Sequence, residues 1–175
     1  MSDIMRLLLV STWESLYMVF SSVAIATFFG IPLGVLLFVT DKQQILKNDL
    51  INQVLSWIVN IIRSIPFVIL LILLLPFTKL IVGKAIGTTA AIVPLSIAAI
   101  PLVGRLTETA LREVPKGVIE AAQSMGASPL QIISKVLLPE SLPSIASGIT
   151  ITTINLIGYS AMAGVIGGGG LGDVA

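Results

Sequence analysis

Charge is missing from four long stretches of this chain, and no other feature constrains the fold as strongly. No Asp, Glu, Lys or Arg occurs in 15–40, 64–78, 85–104 or 141–172. A helix needs roughly 20 apolar residues to cross the hydrocarbon of a bilayer. In that solvent only elements that satisfy their own backbone hydrogen bonds persist. The 175 residues are 55% hydrophobic and 11% charged, where a soluble domain carries about 25% charged residues. The expected fold is therefore all-α, a polytopic transmembrane helix bundle in a lipid bilayer. Four spans are expected, at about 15–39, 54–76, 86–104 and 141–163. The second charge-free run is short, so its helix must start near Val54 and carry Arg63 inside it.

Composition removes several functional classes. A net charge of +1 offers no electrostatic case for a nucleic-acid partner. With no Cys and no His, zinc, thiol and disulfide chemistry and a His proton relay are all absent. No nucleophile–base pair or metal cluster is visible, so neither catalytic nor metal residues are assigned and an enzyme is not expected. Arg6 stands beside a short apolar patch, Leu7 to Val10, with no small-residue cleavage site before Trp13. That is not a signal-peptide pattern, and the first long run should stay in the membrane.

Orientation follows from Lys and Arg in the short connections. One side holds Lys42, Lys47, Arg105, Arg112, Lys116 and Lys135, and the other holds Arg6, Lys79 and Lys84. Six against three places segment 105–140 in the cytoplasm and the N-terminus outside.

Segment 105–140 reads as helix, sharp turn, helix. Pro115 suits a first helical turn, where its missing N–H is harmless. Val118, Ala121, Ala122 and Met125 then recur at helical spacing, and Gly126 supplies a left-handed stop. Ser128 is an N-cap, Pro129 takes the first position, and Gln131 stands three residues on to complete a capping box. Leu130, Ile133 and Leu137 form the apolar stripe of the second helix, which Pro139 should end. The plain alternative is an amphipathic hairpin lying on the membrane surface.

Read together, Glu120-Ala121-Ala122, Gly126 and Leu138-Pro139 resemble the cytoplasmic loop of ABC importer permeases. The likeness extends through Trp13-Glu14-Ser15, Ile31-Pro32-Leu33-Gly34, Arg63-Ser64-Ile65-Pro66-Phe67, Pro76-Phe77-Thr78, Gly158 to Met162 and the Gly-rich close at 167–172. These strings resemble the methionine-uptake branch of the binding-protein-dependent transport inner-membrane component family. Val136 stands where the family usually has Ile, a change without functional weight.

The resemblance implies a permease subunit of the inner (cytoplasmic) membrane that moves an amino acid, methionine in this branch, by alternating access. It implies a homodimer, two ATPase subunits and an extracytoplasmic substrate-binding lipoprotein. ATP and Mg would bind the partner subunit, so no cofactor is assigned here, and the chain has no P-loop of its own. The ATPase-coupling residues it implies are Glu120, Ala121, Ala122, Met125, Gly126, Ala127, Ser128 and Pro129. Glu120 can cap, or pair with a basic residue of the partner or with Arg112 or Lys116; the plain alternative is a solvated surface carboxylate. A fifth span follows the Gly-rich loop in this branch. A chain ending at Asp173-Val174-Ala175 is therefore expected to be cut short of it.

For the solute path the expected residues are Ser64, Pro66, Tyr159, Ser160 and Met162. Proline frees a carbonyl that must find a partner or a water-lined cavity within lipid, and Pro32, Pro66, Pro94, Pro101 and Pro143 are all expected to interrupt spans. Pro66 and Pro94 are the preferred pore-side positions. Arg63, the one charge within a span, is either a pore residue or a snorkelling anchor. For Tyr159, Ser160 and Met162 the plain alternative is close helix packing through Gly148, Ala161 and Ala163. An ABC permease for another small solute remains open. So does an ion-coupled secondary transporter, although such proteins usually keep carboxylates inside the membrane and every Asp and Glu here lies outside the expected spans.

Overall fold

The computed structural model describes residues 3–42 and 44–175, and every regular element among them is helical. The chain runs α1 (Asp3–Val39), α2 (Asp49–Ser64), α3 (Phe67–Val82), α4 (Thr88–Arg112), α5 (Lys116–Ser124) and α6 (Pro129–Ile132). A π turn (Ile133–Leu137) leads into α7 (Leu138–Ala163), and a second π turn (Gly164–Gly168) precedes the short α8 (Leu171–Val174). Helices α1 and α4 and the segment Pro129–Gly168, which is kinked near its end at Ile166 and Gly167, are each long and apolar enough to cross a membrane, and α2 with α3 qualifies only as a bent pair.

The packing centre is the pair α1 and α4. A Cβ on Gly30 would lie 2.6 Å from the Cβ of Val103, and one on Gly34 would lie 2.5 Å from the carbonyl oxygen of Gly104. Two glycines one turn apart thus let the backbones approach, the small-residue device that replaces a hydrophobic driving force between helices in lipid. Around this seam Met18, Ala26, Leu95, Ala99, Val103 and Leu156 are buried in one core. Helix α7 joins at Gly148, where a Cβ would stand 3.0 Å from that of Leu106.

Several expectations change. Helix α1 begins at Asp3 rather than near 15 and includes Trp13 and Glu14. At 1.5 Å per residue its 37 residues extend about 55 Å, well beyond a hydrocarbon core of about 30 Å. The single helix expected over 54–76 is two helices bent by 108°. Ile65 is extended (φ −82°, ψ 124°), as the residue before a proline prefers, and Pro66 has no N–H with which to continue α2. The other prolines do not interrupt: Pro32 lies inside α1, Pro94 and Pro101 inside α4, and Pro143 inside α7. Nor does Pro139 end a helix. The wider π turn at 133–137 precedes it and Pro139 sits in the first turn of α7, so the missing donor falls where the i→i−4 ladder is already broken.

The Gly-rich close is a folded clasp rather than a loose loop. The backbone N–H of Gly170 donates to Glu14 Oε2 at 2.8 Å, and that of Leu171 donates to Ser15 Oγ at 2.9 Å. Gly169 and Gly170 have φ of +75° and +76°, conformations open to glycine at little cost.

If the α1–α4 seam sets the fold, Gly34→Val should lower the thermal midpoint of the purified protein, since overpacking costs typically about 1–3 kcal/mol. Gly117→Ala is the matched control, because a Cβ there meets nothing within 4 Å. It should be neutral or slightly stabilising. Equal midpoints for Gly34→Val and wild type would overturn the close-packing account.

Candidate functional site

Two places combine exposed apolar surface with placed polar groups: the elbow between α4 and α7, and the cleft at the break between α2 and α3.

The elbow is built by its caps. At the end of α5, Ala127 N–H donates to the Ala122 carbonyl at 3.1 Å and Gly126 N–H to the Gln123 carbonyl at 2.9 Å. This paired closure requires a left-handed residue at the turn, and Gly126 has φ +79°. Helix α6 then opens with the expected box: Ser128 N–H donates to Gln131 Oε1 at 2.9 Å and Gln131 N–H to Ser128 Oγ at 3.4 Å. Pro129 holds its first turn.

Packing sorts the elbow into two faces, and the sorting differs from the spacing argument. Ile119, Ala122, Ile132 and Leu137 are buried against Phe38, Val39, Leu111 and Val114. Of the face expected from Val118, Ala121, Ala122 and Met125, only Ala122 turns inward. Leu130, placed on an inner stripe, is exposed. The outer surface presents Met125 at 82% exposure and Leu130 at 77%, with Val118, Glu120 and Ala121 beside them. Large apolar tips on a capped, core-anchored turn are what a docking surface offers. Of the other residues assigned to coupling, Ala127 is half-buried and Ser128 and Pro129 are exposed.

Beneath the elbow lies an ion network that sequence reasoning missed. The Glu108 carboxylate, 8% exposed, accepts from Arg105 Nη1 at 2.7 Å and from Arg112 Nη2 at 2.7 Å. Arg112 also donates to Asp41 Oδ2 at 2.8 Å, and Arg105 to Asn60 Oδ1 at 3.1 Å. One carboxylate thereby ties α4 to the connection after α1 and to α2. Arg112 is spent on Asp41 and Glu108, and among the described residues Glu120 forms no ion pair, so of the alternatives open to Glu120 the pairings with Arg112 and Lys116 are not made. The signal was present in Arg105, Glu108 and Arg112 at i, i+3 and i+7, since residues three and four apart share a helix face.

The Arg112 guanidinium, reinforced by the Lys42 backbone N–H, holds the Asp41 carboxyl below its ordinary value of 3.8. A carboxyl lowered by folding contributes its stability in full above the ordinary value and loses it as pH falls through the lowered one.

The second place is the cleft. Ser64 ends α2 with its hydroxyl donating to the Asn60 carbonyl at 2.7 Å, and Pro66 stands exposed at the start of α3. Phe67 stacks on Tyr159 of α7 with ring centroids 4.5 Å apart and planes 3° from parallel. A hollow of about 180 Å³ there is lined by Arg63, Phe67, Ala98, Leu102, Asn155 and Tyr159, and neither Ser64 nor Pro66 is among its lining residues. Met162 is exposed further along α7, one turn past Tyr159. Ser160 is not with them: it is buried and donates to the Ile157 carbonyl at 2.8 Å, so its hydroxyl is used within the helix. Pro94 is buried inside continuous α4, away from any break. Asn155 was missed, although its spacing to Tyr159 and Met162 is i, i+4, i+7.

Comparison with known proteins follows this geometry. A family model described as "Binding-protein-dependent transport system inner membrane component" matches residues 26–175. A probable D-methionine transport system permease protein MetI of Vibrio cholerae is 61% identical over 169 residues, covering 97% of this chain and 75% of that protein. The D-methionine transport system permease protein MetI of Escherichia coli is 53% identical over 165 residues, covering 94% and 76%. A solved inward-facing conformation of the MetNI methionine ABC transporter superposes with a TM-score of 0.97 at 52% identity, covering 99% of this chain and 81% of that one. An amino acid ABC transporter at 22% identity and a TM-score of 0.79 shares the fold.

The pH prediction is that Asp41→Asn lowers thermal stability near neutrality by an amount in the range of a partly exposed ion pair, about 0–1 kcal/mol. The gap between variant and parent should close as the pH is taken below 3.8. A gap independent of pH would remove the ion pair as its cause.

Proposed function

This chain belongs to the binding-protein-dependent transport inner-membrane component family, and from that membership we propose that it is the permease of a methionine importer. It is a transport subunit and not an enzyme. The observation that carries the proposal is the elbow: a turn capped at both sides, anchored by a buried inner face and offering an exposed apolar outer one. In this reading the elbow lies on the cytoplasmic side of the inner membrane and lays α5 into a groove of an ATPase subunit, the helix-in-groove mode. Glu120, Ala121, Ala122, Met125, Gly126, Ala127, Ser128 and Pro129 form or shape that contact. ATP and Mg are held by the ATPase.

Two copies of this chain enclose the path, with two ATPases inside and a binding protein delivering solute outside. ATP binding draws the two elbows together, and the helices rock between inward- and outward-facing states. Such coupling demands that the nucleotide favour one state over the other. The Glu108 network suits this task, because it joins the base of the elbow to the connection after α1 and to α2 through charged hydrogen bonds. Ser64, Pro66, Tyr159 and Met162 line the path in this reading, and Ser160 serves helix packing.

The decisive experiment is ATP-driven uptake of radiolabelled methionine by the permease–ATPase complex reconstituted in liposomes with its binding protein. Uptake should require ATP and survive collapse of the proton gradient. Dependence on the gradient would favour an ion-coupled carrier, and transport of other solutes with methionine ignored would reassign the cargo.

Glu120→Ala and Gly126→Val are expected to leave the protein in the membrane while ATP-driven uptake falls to background. Valine at a φ of +79° disfavours the turn itself. Wild-type uptake in both variants would remove the docking role from the elbow. Met162→Ala should change solute leak or uptake more than assembly, and unchanged transport would assign Met162 to packing.

A further inference from the structure

The cleft at the α2–α3 break contains a cation whose partner the fold does not supply. Arg63 sits in the last turn of α2 and lines the hollow. Among the described residues the ion pairs are made by Arg105 and Arg112 alone, leaving Arg63 without one. Arg63 is exposed at the end of α2, within a bent helix pair apolar enough to cross a membrane, and an ionisable side chain in such a segment without a counter-ion is by default a candidate functional position. Attraction to the C-terminal end of α2 is a further favourable contact for a cation, but it leaves the planar donor fork of the guanidinium unfilled.

The remaining lining says what would fill it. Asn155 and Tyr159 bring an amide and a phenol to the same hollow, while Phe67, Ala98 and Leu102 give it apolar walls. No carboxylate lines it. Its volume of about 180 Å³ far exceeds the ~10–15 Å³ that one water requires. A few convergent polar groups in an apolar hollow are the usual make-up of a small-molecule site.

Building on the transport reading above, we propose that this cleft is a solute-recognition site for α-amino acids with uncharged, apolar side chains. Arg63 takes the α-carboxylate, a planar anion that matches the guanidinium fork. Asn155 Oδ1 accepts from the α-ammonium. The side chain lies along Phe67, Ala98 and Leu102, where a thioether gains from contact with an aromatic ring. A cationic side chain finds no counter-ion there, so lysine and arginine are rejected. The 108° bend at Ile65-Pro66 turns α3 away from the end of α2, so that Arg63 and Phe67, on either side of the break, both border the hollow.

The test is photolabelling of the assembled permease–ATPase complex in nanodiscs with a diazirine analogue of methionine, the modified peptides being mapped by mass spectrometry. Label should fall on segments 62–70 and 155–159. Leucine should compete and lysine should not, and methionine amide, which lacks the carboxylate, should compete poorly. Arg63→Gln should lower labelling at these segments by roughly tenfold or more, the range expected for losing a hydrogen bond to a charged group. Arg63→Lys should restore part of it. Should Arg63→Gln fail to assemble with the ATPase, Asn155→Leu serves as the second variant, with the same loss expected.

Unchanged labelling in the variants, or methionine amide competing as well as methionine, would overturn the assignment. The two readings separate cleanly. If wild-type complex takes up methionine while the cleft goes unlabelled, only the recognition site falls. If it takes up no methionine under ATP, the transport reading fails and the site falls with it.

Discussion

Everything else in this fold is arranged around the approach of α1 to α4 at Gly30 and Gly34. Inside lipid, one apolar helix gains little by exchanging a hydrocarbon chain for another helix, so association depends on contact distance. Two missing Cβ atoms let α1 sit against Val103, Gly104 and Thr107. Once that seam is closed, α7 is drawn in at Gly148 against Leu106, and the base of the elbow is held where the two long helices end. Phe38 and Val39 of α1, Leu111 of α4 and Val114 just beyond it meet Ile119 and Ile132 of the elbow. The elbow is therefore rigidly joined to the helices it would have to move.

Charge reinforces the same junction. Glu108 is buried and doubly paired, and removing one member of such a group leaves an uncompensated buried charge. Through Arg112 it reaches Asp41 and through Arg105 it reaches Asn60. Asn52 adds a neutral tie, its Nδ2 donating to the Leu37 carbonyl at 2.6 Å. The base of the elbow is thus tied both to the connection after α1 and to α2. The 108° bend at Ile65-Pro66 then separates α2, tied to the base of the elbow through Arg105 and Asn60, from α3, which packs on α4 and, through Phe67 and Tyr159, on α7.

Local chemistry was legible wherever a few neighbouring residues decide the outcome. The left-handed stop at Gly126 and the Ser128–Gln131 box formed as read, because caps are settled by backbone geometry within five residues. Faces were less legible. Ala122 and Met125 share helical spacing, yet one is buried and the other exposed, since which side of a short amphipathic helix turns inward depends on the helix it meets. Pro66 broke its helix while Pro32, Pro94, Pro101 and Pro143 did not. Each of those four stays in a long helix whose flanking turns are held by packed neighbours, whereas Pro66 follows an extended Ile65 at a charged, exposed helix end. The spacing of Arg105, Glu108 and Arg112 announces the part of the network within α4, but its reach to Asp41 and Asn60 and the clasp from Glu14 to Gly170 join distant parts of the chain, and no local pattern announces those.

What the amino-acid order determined alone was the solvent and the class: long uncharged runs need lipid, lipid permits only self-satisfied helices here, and the caps place one turn between two of them. What tertiary structure decided was the partnership of those helices. Two glycines chose the α1–α4 seam, Pro66 became a true break, and Arg63 came to face Asn155 and Tyr159 across a hollow. Hydrophobicity is summed along the chain and can be read there. Contact distance, burial and charge pairing are set between segments, and come into being only when the segments meet.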